Sequence, residues 1–441
     1  MATAIIGLGS NLQRPLVQLR NACRMLADTA KLNIQAYSSI YRSKPLMPSG
    51  APANWADKWY LNAAIAVKTN LTPLALLQLL KHTETQLGRE KAERWAPRSI
   101  DLDLLTYDDL LLETPVLTLP HPGLLERDFA LIPLLELCPR YQHPRYPELK
   151  LAELFAPDGL AALPHLLSGP ELLGILNLTP NSFSDGGKYI DLEAAVVQAQ
   201  YLFEQGADII DLGAESTRPG AALIDIDIEW QRLHPVLQAL TAVWQDKEHR
   251  PLISIDTRHA EIIARALPFQ LDIINDVSQE EFPAMLPFLQ AEPHLRYVAM
   301  HHCGVPPLKG KTIHEDPIKT LQSFAKTWQE RFQEAGLSSS QLILDPGFGF
   351  GKTPRQQIAL IRQFVVLTQD GIPWLAGHSR KSFINAVLPY ADMQAKEAAT
   401  ILIADYLAKS RVRYLRVHEP LPVAAAIRFG QILSLGQTTL L

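Results

Sequence analysis

Two hydrophobic patterns divide the chain. In the first part, apolar positions alternate between strand-like and helix-like spacing. Ala2–Leu8 reads as a strand closed by Gly9-Ser10-Asn11, and Leu16, Leu19, Ala22, Cys23 and Leu26 recur at the period of a helix over Pro15–Thr29. Asn33–Arg42 and Tyr60–Lys68 read as two more strands, separated by a long loop, Ser43–Lys58, of the kind usually kept for function. Thr72-Pro73 supplies a hydroxyl N-cap and a first-turn proline to a helix lined by Leu74, Leu77, Leu80 and Leu87 and ended by Gly88. Ile100–Tyr107 is a fourth strand, and the order βαββαβ suggests a ferredoxin-like α+β sandwich.

Prolines 139, 144, 147, 157, 164 and 170 then break regular structure around a short helical patch, Leu149–Phe155. They mark a linker, with a boundary near residue 165 and domains over 1–160 and 166–441. Beyond it, nearly continuous apolar runs alternate with helical segments: Leu172–Leu178, Asp208–Leu212, Leu252–Ile255, Asp272–Asn275, Tyr297–Met300, Leu342–Leu344, Trp374–Ala376 and Tyr414–Val417. Such runs suit strands buried on both faces. Eight β/α units point to a C-terminal (β/α)8 TIM barrel rather than a doubly wound sheet. The whole is a multidomain α/β chain.

Composition narrows the class. Of 441 residues, 47% are hydrophobic and 20% charged, as in globular proteins, and the formal charge of −5 comes with no extended basic patch, which argues against nucleic-acid binding. Three widely spaced cysteines form neither a disulfide framework nor a zinc pattern. No apolar run reaches bilayer length and a strand begins almost at once, so a cytoplasmic protein without membrane contacts is expected.

Candidate chemistry in the first half sits in Gly88–Asp103. Asp101 and Asp103 are two apart on a strand, so both carboxylates leave the same face and repel unless a cation lies between them. Arg89, Lys91, Arg94 and Arg98 gather positive charge just upstream. Cations beside a carboxylate pair indicate a Mg²⁺-bound polyphosphate and phosphoryl-transfer chemistry.

In the second half the chemistry follows the strand ends. Each apolar run gives way to polar residues: Asn177 and Thr179; Glu215 to Arg218; Asp256; Asn275 and Asp276; His301 after Met300; Asp345; Ser379, Arg380 and Lys381; Arg416 and His418. A barrel would bring all of them to one rim. Asp256, Asn275, Asp345 and Lys381 can pair with the amide edge of a flat heterocycle. Arg218, Arg380, Arg416 and His418 suit a diphosphate, with Asn177 as an oxygen ligand to Mg²⁺. The stretch Asp345–Lys352 allows close backbone approach to a ligand but lacks the spacing of a phosphate loop.

Gly7-Leu8-Gly9-Ser10-Asn11, Tyr60-Leu61-Asn62-Ala63-Ala64, Arg94–Asp103 and Pro120-His121-Pro122 together resemble 6-hydroxymethyl-7,8-dihydropterin pyrophosphokinase over about the first 140 residues. The resemblance implies ATP-dependent pyrophosphoryl transfer to the pterin hydroxymethyl. Asp101 and Asp103 would hold two Mg²⁺, and Arg89, Arg98, His121 and Arg127 would contact the nucleotide phosphates. Asn62 would read the pterin edge between Tyr60 and Phe129. One departure is Tyr41-Arg42-Ser43-Lys44-Pro45, which lacks the Thr the family more usually has before this proline.

The second half resembles dihydropteroate synthase through ILNLTPNSFSDGG, Glu215–Gly220, Ile255-Asp256-Thr257, Ile274-Asn275-Asp276, DPGFGFGK, Ser379–Ser382 and Arg416-Val-His418. That resemblance implies displacement of diphosphate from the pterin by p-aminobenzoate. Asp256, Asn275, Asp345, Lys381 and Arg416 would hold the pterin; Thr217, Phe350 and Ser379 the p-aminobenzoate; Arg218, Arg416 and His418 the diphosphate with one Mg²⁺ at Asn177. The catalytic set would be Arg89, Arg98, Asp101 and Asp103 in the first half and Asp185, Arg218 and Lys381 in the second. Cys303 and His378 depart from the usual residues. Two alternatives stay open at this point: a pterin-binding methyltransferase for the barrel, and a non-catalytic ligand sensor for the first domain. The resemblance also leaves room for a homodimer through the barrel domain.

Overall fold

Strand alternation decides which residues of the first sheet meet which helices. In the computed structural model, which describes residues 1–47, 49–90, 96–154, 160–179, 191–215, 223–245, 247–305, 307 and 310–434, strands β1 (Ala2–Ser10), β2 (Leu32–Tyr37), β3 (Ile40–Ser43), β4 (Tyr60–Thr69) and β5 (Asp101–Tyr107) form an antiparallel sheet in the order β5-β1-β4, with β2 and β3 both on the far side of β4. Helices α1 (Pro15–Ala27) and α2 (Pro73–Gln86) complete the expected βαββαβ order. Thr72 caps α2 by accepting the Ala75 N–H. A small hairpin, β6 (Leu112–Glu113) with β7 (Thr118–Leu119), follows β5.

Three details differ from the expectation. The single strand expected over Asn33–Arg42 is broken, because Ser38 turns its hydroxyl back to accept the Ala64 N–H and so interrupts the ladder along β4. A third helix, α3 (Asp128–Leu137), covers the opposite face of the sheet; its apolar residues are too continuous to show a helical period. The proline-rich linker supplies a short strand, β8 (Ala161–Leu163), that pairs with β3.

The two faces are therefore unequal. Ala4, Ile6, Leu8, Leu61, Ala63, Ile65, Val67, Leu102 and Leu104 pack with α1 and α2. The alternate residues Ile5, Ala64, Ala66 and Leu105 pack with α3. Along those same rows the next positions are Gly7, Gly9, Asn62, Tyr60, Asp101 and Asp103, so the apolar cover stops and a polar shelf begins.

The second sheet has eight parallel strands: β9 (Glu171–Asn177), β10 (Ile209–Gly213), β11 (Leu252–Asp256), β12 (Ile273–Asp276), β13 (Arg296–Met300), β14 (Leu342–Asp345), β15 (Leu375–Ala376) and β16 (Tyr414–Val417). They run in the order β14-β13-β12-β11-β10-β9-β16-β15, and a parallel bridge from Leu344 to Trp374 joins the ends into a barrel. Among the described residues, ten helices lie between and after these strands: α4 (Leu192–Glu204), α5 (Ile226–Trp244), α6 (Ala260–Ala266), α7 (Phe282–Ala291), α8 (Pro317–Glu334), α9 (Pro354–Arg362), α10 (Phe364–Leu367), α11 (Phe383–Val387), α12 (Met393–Lys409) and α13 (Pro420–Ser434). By contacts the chain divides into one unit of 1–168, 246–250 and 428–441 and a second of 169–245 and 251–427. Among the described residues, no helix is long and apolar enough to cross a membrane.

Each barrel strand contributes one residue to a buried inner cluster: Leu173, Ile209, Leu252, Ile273, Val298, Ile343, Leu375 and Tyr414. Ile273 is fully buried there. Ile273→Ala should cost about 2–5 kcal/mol through lost burial and a residual cavity. A thermal melt should show the corresponding drop; an unchanged midpoint would mean the cluster is not the barrel's core.

Candidate active sites

On the first sheet, nine of the residues singled out by sequence line one cavity of about 280 Å³: Tyr60, Asn62, Arg89, Arg98, Asp101, Asp103, His121, Arg127 and Phe129. Gly9 lies at the centre of this shelf. It pairs with Asn62 on one side and Asp101 on the other, and a Cβ there would sit 3.4 Å from Asn62 Oδ1. Asn62 donates to Ser43 Oγ at 2.8 Å, which holds its amide in place.

The two aspartates differ in their surroundings. Asp101 accepts from Arg89 Nη1 at 2.6 Å and from Arg98 Nη1 at 2.7 Å. Burial works to raise its pKa, but Arg98 and Arg89 outweigh it and hold the carboxyl below its ordinary range. Asp103 has Lys81 Nζ at 3.8 Å, and burial together with the Asp101 charge pushes its pKa up. A further cation between them would relieve that strain. His121 is lowered by burial, an effect that Asp103 opposes and Arg127 reinforces.

Sequence reading missed Lys81 and Glu84. Both lie on α2 and serve the outer edge of β5, where Leu102 has no strand neighbour. Glu84 accepts the Leu102 N–H at 2.7 Å and Lys81 donates to the Leu102 carbonyl at 2.9 Å. Glu84 also pairs with Lys81 and Arg89. A lysine and a glutamate three residues apart on a helix that precedes a strand is the signal that was available; only Glu84 of the two is buried. Asn11 is also buried. It takes the Arg98 N–H at 2.8 Å and donates to the Lys58 carbonyl at 3.0 Å, which sets the segment bearing Arg98. Lys91 and Arg94 lie outside the described residues.

In the barrel, the inner row continues upward from the apolar cluster by twos. From Leu173 it reaches Asn177; from Ile209, Asp211 and Gly213; from Leu252, Ser254 and Asp256; from Ile273, Asn275; from Ile343, Asp345; from Tyr414, Arg416 and on to His418. Asn177, Gly213, Asp256 and Asn275 lie level on four adjacent strands. Asp276, of opposite parity, turns outward. It accepts from the Tyr297 hydroxyl at 2.7 Å and from the Ser278 and Gln279 N–H groups, so its part is to fix a turn and not to line the mouth.

Arg416 joins the inner groups. Its Nε donates to Asp211 Oδ2 at 2.6 Å and its Nη2 to Asp256 Oδ2 at 2.8 Å. Two of its donors, assigned by sequence partly to a diphosphate, are thus held by carboxylates. Asp211, fully buried, also accepts from Ser254 Oγ at 2.5 Å. It was passed over in the sequence, although it is the one charged residue in the run Ile209–Gly213. Burial pushes Asp256 up to about 7 despite Arg416. Burial likewise pushes Asp345 up to about 6, although the Gly347 N–H donates to it at 2.6 Å and Lys381 lies near.

The loop after β14 wraps around Lys352. This buried ammonium donates to the carbonyls of His301, Gly347 and Phe350 at 3.3 Å each, and its Nζ lies 3.0 Å from His301 Nδ1. It braces its own loop and does not act like the lysine of a phosphate loop. Burial lowers Lys352 to about 8, and burial with Lys352 alongside lowers His301 to about 3, so the imidazole is neutral. Gly347, at φ +66°, needs to be glycine, because a Cβ would collide with the His301 carbonyl. Lys381 Nζ lies 4.7 Å over the Phe350 ring, and Ser379 Oγ lies 2.9 Å from His418 Nδ1. Arg380, grouped by sequence with the diphosphate cations, instead donates to Glu397 and Glu419. The expected contacts of Asp185, Thr217 and Arg218 fall outside the described residues.

Residues 5–139 match the family of 7,8-dihydro-6-hydroxymethylpterin-pyrophosphokinase, and residues 173–418 match the family of pterin binding enzymes. The chain is 36% identical to a folate synthesis bifunctional protein of Chlamydia trachomatis over 94% of each chain. A dihydropteroate synthase from Clostridium difficile, solved in the presence of pteroic acid, is 34% identical with a TM-score of 0.54, covering 60% of this chain and 97% of its own. A solved HPPK-DHPS in complex with substrates, 19% identical, shares the fold over 98% of this chain and 99% of its own, with a TM-score of 0.55.

Proposed function

The chain belongs to the family of bifunctional folate-synthesis proteins, and on that premise we propose which residues carry its two reactions. One activity diphosphorylates 6-hydroxymethyl-7,8-dihydropterin with ATP; the other condenses the pterin diphosphate with p-aminobenzoate to give 7,8-dihydropteroate and diphosphate. The first is assigned to residues 1–160 and the second to 166–441. The convergence of nine residues from separate segments on one cavity carries the first assignment. It also weighs against a non-catalytic sensor, which would not need Asp101 and Asp103 side by side. The likeness to synthases, with the barrel's Asp256–Arg416 pairing, favours the condensing reaction over methyl transfer.

In the first site, Tyr60 and Phe129 would stack on the two faces of the pterin and Asn62 would read its polar edge. Each arginine that binds Asp101 keeps further N–H donors for phosphate oxygens, as Arg127 and His121 would add theirs. Enzymes of these families work with Mg²⁺. We assign two ions to Asp101 and Asp103 and one, with the pterin diphosphate, to Asn177. The half-buried, mutually repelling aspartates fit a cation. No group of three or more His, Cys, Asp or Glu among the described residues could hold a metal unaided, so phosphate oxygens and water would complete each shell. When bound, the ions neutralise phosphate charge.

In the second site, Asp256, Asn275 and Asp345 would pair with the pterin's amino and amide groups, with Lys381 as donor. Arg416 would keep Asp256 oriented and lie along the ring. Phe350, Ser379 and Thr217 would take p-aminobenzoate, and His418, Arg218 and Arg416 the leaving diphosphate, with Asp185 closing the set. Water would be kept from the reacting carbon by the apolar Val277, Met300 and Phe350 cluster. We place the protein in the cytoplasm, in keeping with its free cysteines.

We also propose self-association through the barrel, since α12 leaves Met393, Leu402 and Tyr406 exposed at 59%, 71% and 45%. Sedimentation should show a dimer; a monomer at every concentration would contradict it.

Asp101→Ala and Asp103→Ala should each abolish AMP formation from ATP and pterin while leaving condensation of supplied pterin diphosphate intact. Lys381→Ala should do the reverse. Loss of both activities in either case, or of neither, would refute the division.

The pH dependence follows from Asp256. Its pKa is raised, so the carboxylate form needed to accept pterin N–H groups is lost as pH falls through about 7. The synthase KM for pterin diphosphate should rise over that range, and Asp256→Asn should flatten the dependence. A KM independent of pH in the wild type would remove Asp256 from pterin binding.

A further inference from the structure

The turn after β15 carries Ser379 and Lys381 on either side of Arg380. Arg380 has φ +57°, a left-handed conformation that side chains other than glycine rarely adopt. A single left-handed residue reverses the chain locally. It lets the two neighbours face the barrel mouth while the residue between them points toward the helical layer.

The Arg380 side chain is held there from two directions. Its Nε donates to Glu397 Oε2 on α12 at 2.7 Å, and its Nη2 to Glu419 Oε1 at 3.1 Å. Glu397 is largely buried, so its pairing is less screened than a surface ion pair. The Arg380 N–H donates to Thr400 Oγ1 at 3.1 Å, and His378 Nε2 lies 3.1 Å from the Thr400 carbonyl. One threonine of α12 therefore holds both flanks of Ser379, the His378 ring on one side and the Arg380 backbone N–H on the other. Glu419 directly follows His418, whose ring nitrogen and backbone N–H both reach Ser379 Oγ. Two turns of the rim are in this way joined twice, once by Ser379–His418 inside and once by Arg380–Glu419 outside.

We propose that Arg380 is a positioning residue for the condensation. It pins the turn so that Lys381 stands over Phe350 and Ser379 meets His418, and it is not itself a ligand of the diphosphate. The planar fork suits this, because Nε and Nη2 meet the two carboxylates from separate edges, whereas a lysine offers one compact ammonium. The inference rests on the synthase reading of the barrel mouth.

The test uses the full chain with pterin diphosphate and p-aminobenzoate. It follows synthase kcat, KM, and inhibition by inorganic diphosphate, with AMP formation and a thermal melt recorded for each variant. Arg380→Ala should lower kcat by about 10- to 100-fold, the scale expected when a reacting group is misplaced. Inhibition by diphosphate should stay unchanged. Arg380→Lys, which keeps the charge and can keep one contact, should recover part of the turnover and guards against a folding failure. Glu397→Gln with Glu419→Gln should also lower kcat, and adding Arg380→Ala to that pair should cost little more, since all three act through one tie. Weakened inhibition by diphosphate in Arg380→Ala, with the glutamate variants unaffected, would make Arg380 a direct ligand and overturn the proposal. Full turnover in Arg380→Ala would overturn it as well. Lys381→Ala run alongside separates the two readings: full synthase turnover there would remove the site assignment underneath the proposal. Loss in Lys381→Ala with none in Arg380→Ala would remove the pin alone.

Discussion

A β-strand sends every second side chain to the same face, and both candidate sites depend on where along such a row the apolar residues stop. On the first sheet, Ile5, Ala64 and Leu105 sit under α3, and the same rows continue into Gly7, Gly9, Asn62, Asp101 and Asp103. In the barrel, an apolar ring of eight residues gives way two positions later to Asp211, Ser254, Asn275, Asp345 and Arg416. Shifting either row by one residue would bury the charges among helices and aim leucines at the ligand. The register that builds each core is therefore the register that builds each site.

Charges placed at the edge of a core are costly unless they are paired, and the two sites pair them differently. The first gathers more cations than carboxylates around two aspartates, with Arg89 and Arg98 sharing Asp101. The barrel buries one guanidinium between Asp211 and Asp256, and burial raises the pKa of Asp256 and Asp345. A cavity lined by several guanidinium groups is suited to collecting a polyanion. A ring of fixed acceptors suits a neutral, donor-rich heterocycle whose own anion must leave.

The sequence showed most of what periodicity can show. Eight apolar runs gave eight parallel strands, and the strand-end residues Asn177, Asp256, Asn275, Asp345, Arg416 and His418 fall on one inner row. What it could not show came from contacts without a local signature. The helix α3 is apolar on most sides and has no period to read. Asp211 was hidden because strand positions were judged by the run's overall hydrophobicity. Glu84 and Lys81 serve the neighbouring strand's edge, which only pairing order reveals. Asp276 and Arg380 were placed at the mouth because they adjoin mouth residues, yet parity turns the first outward and a left-handed turn redirects the second.

Lys352 shows the same limit from the other side. A lysine closing a glycine-rich stretch suggests a phosphate ligand when only composition is considered. Yet the glycines around it have positive φ, and that conformation curls the loop until its carbonyls face inward. Carbonyls gathered around a point need a donor with several N–H groups, and a lysine ammonium has three. Burial lowers its pKa to about 8, so it is still mainly protonated at neutral pH, and the charge stays spent on the backbone. The loop's rigidity, and with it the position of Asp345 and Phe350, thus comes from a cation that never needs to meet the ligand. The neighbouring turn, where Ser379 meets His418, sets its lysine differently: Lys381 lies over the Phe350 ring.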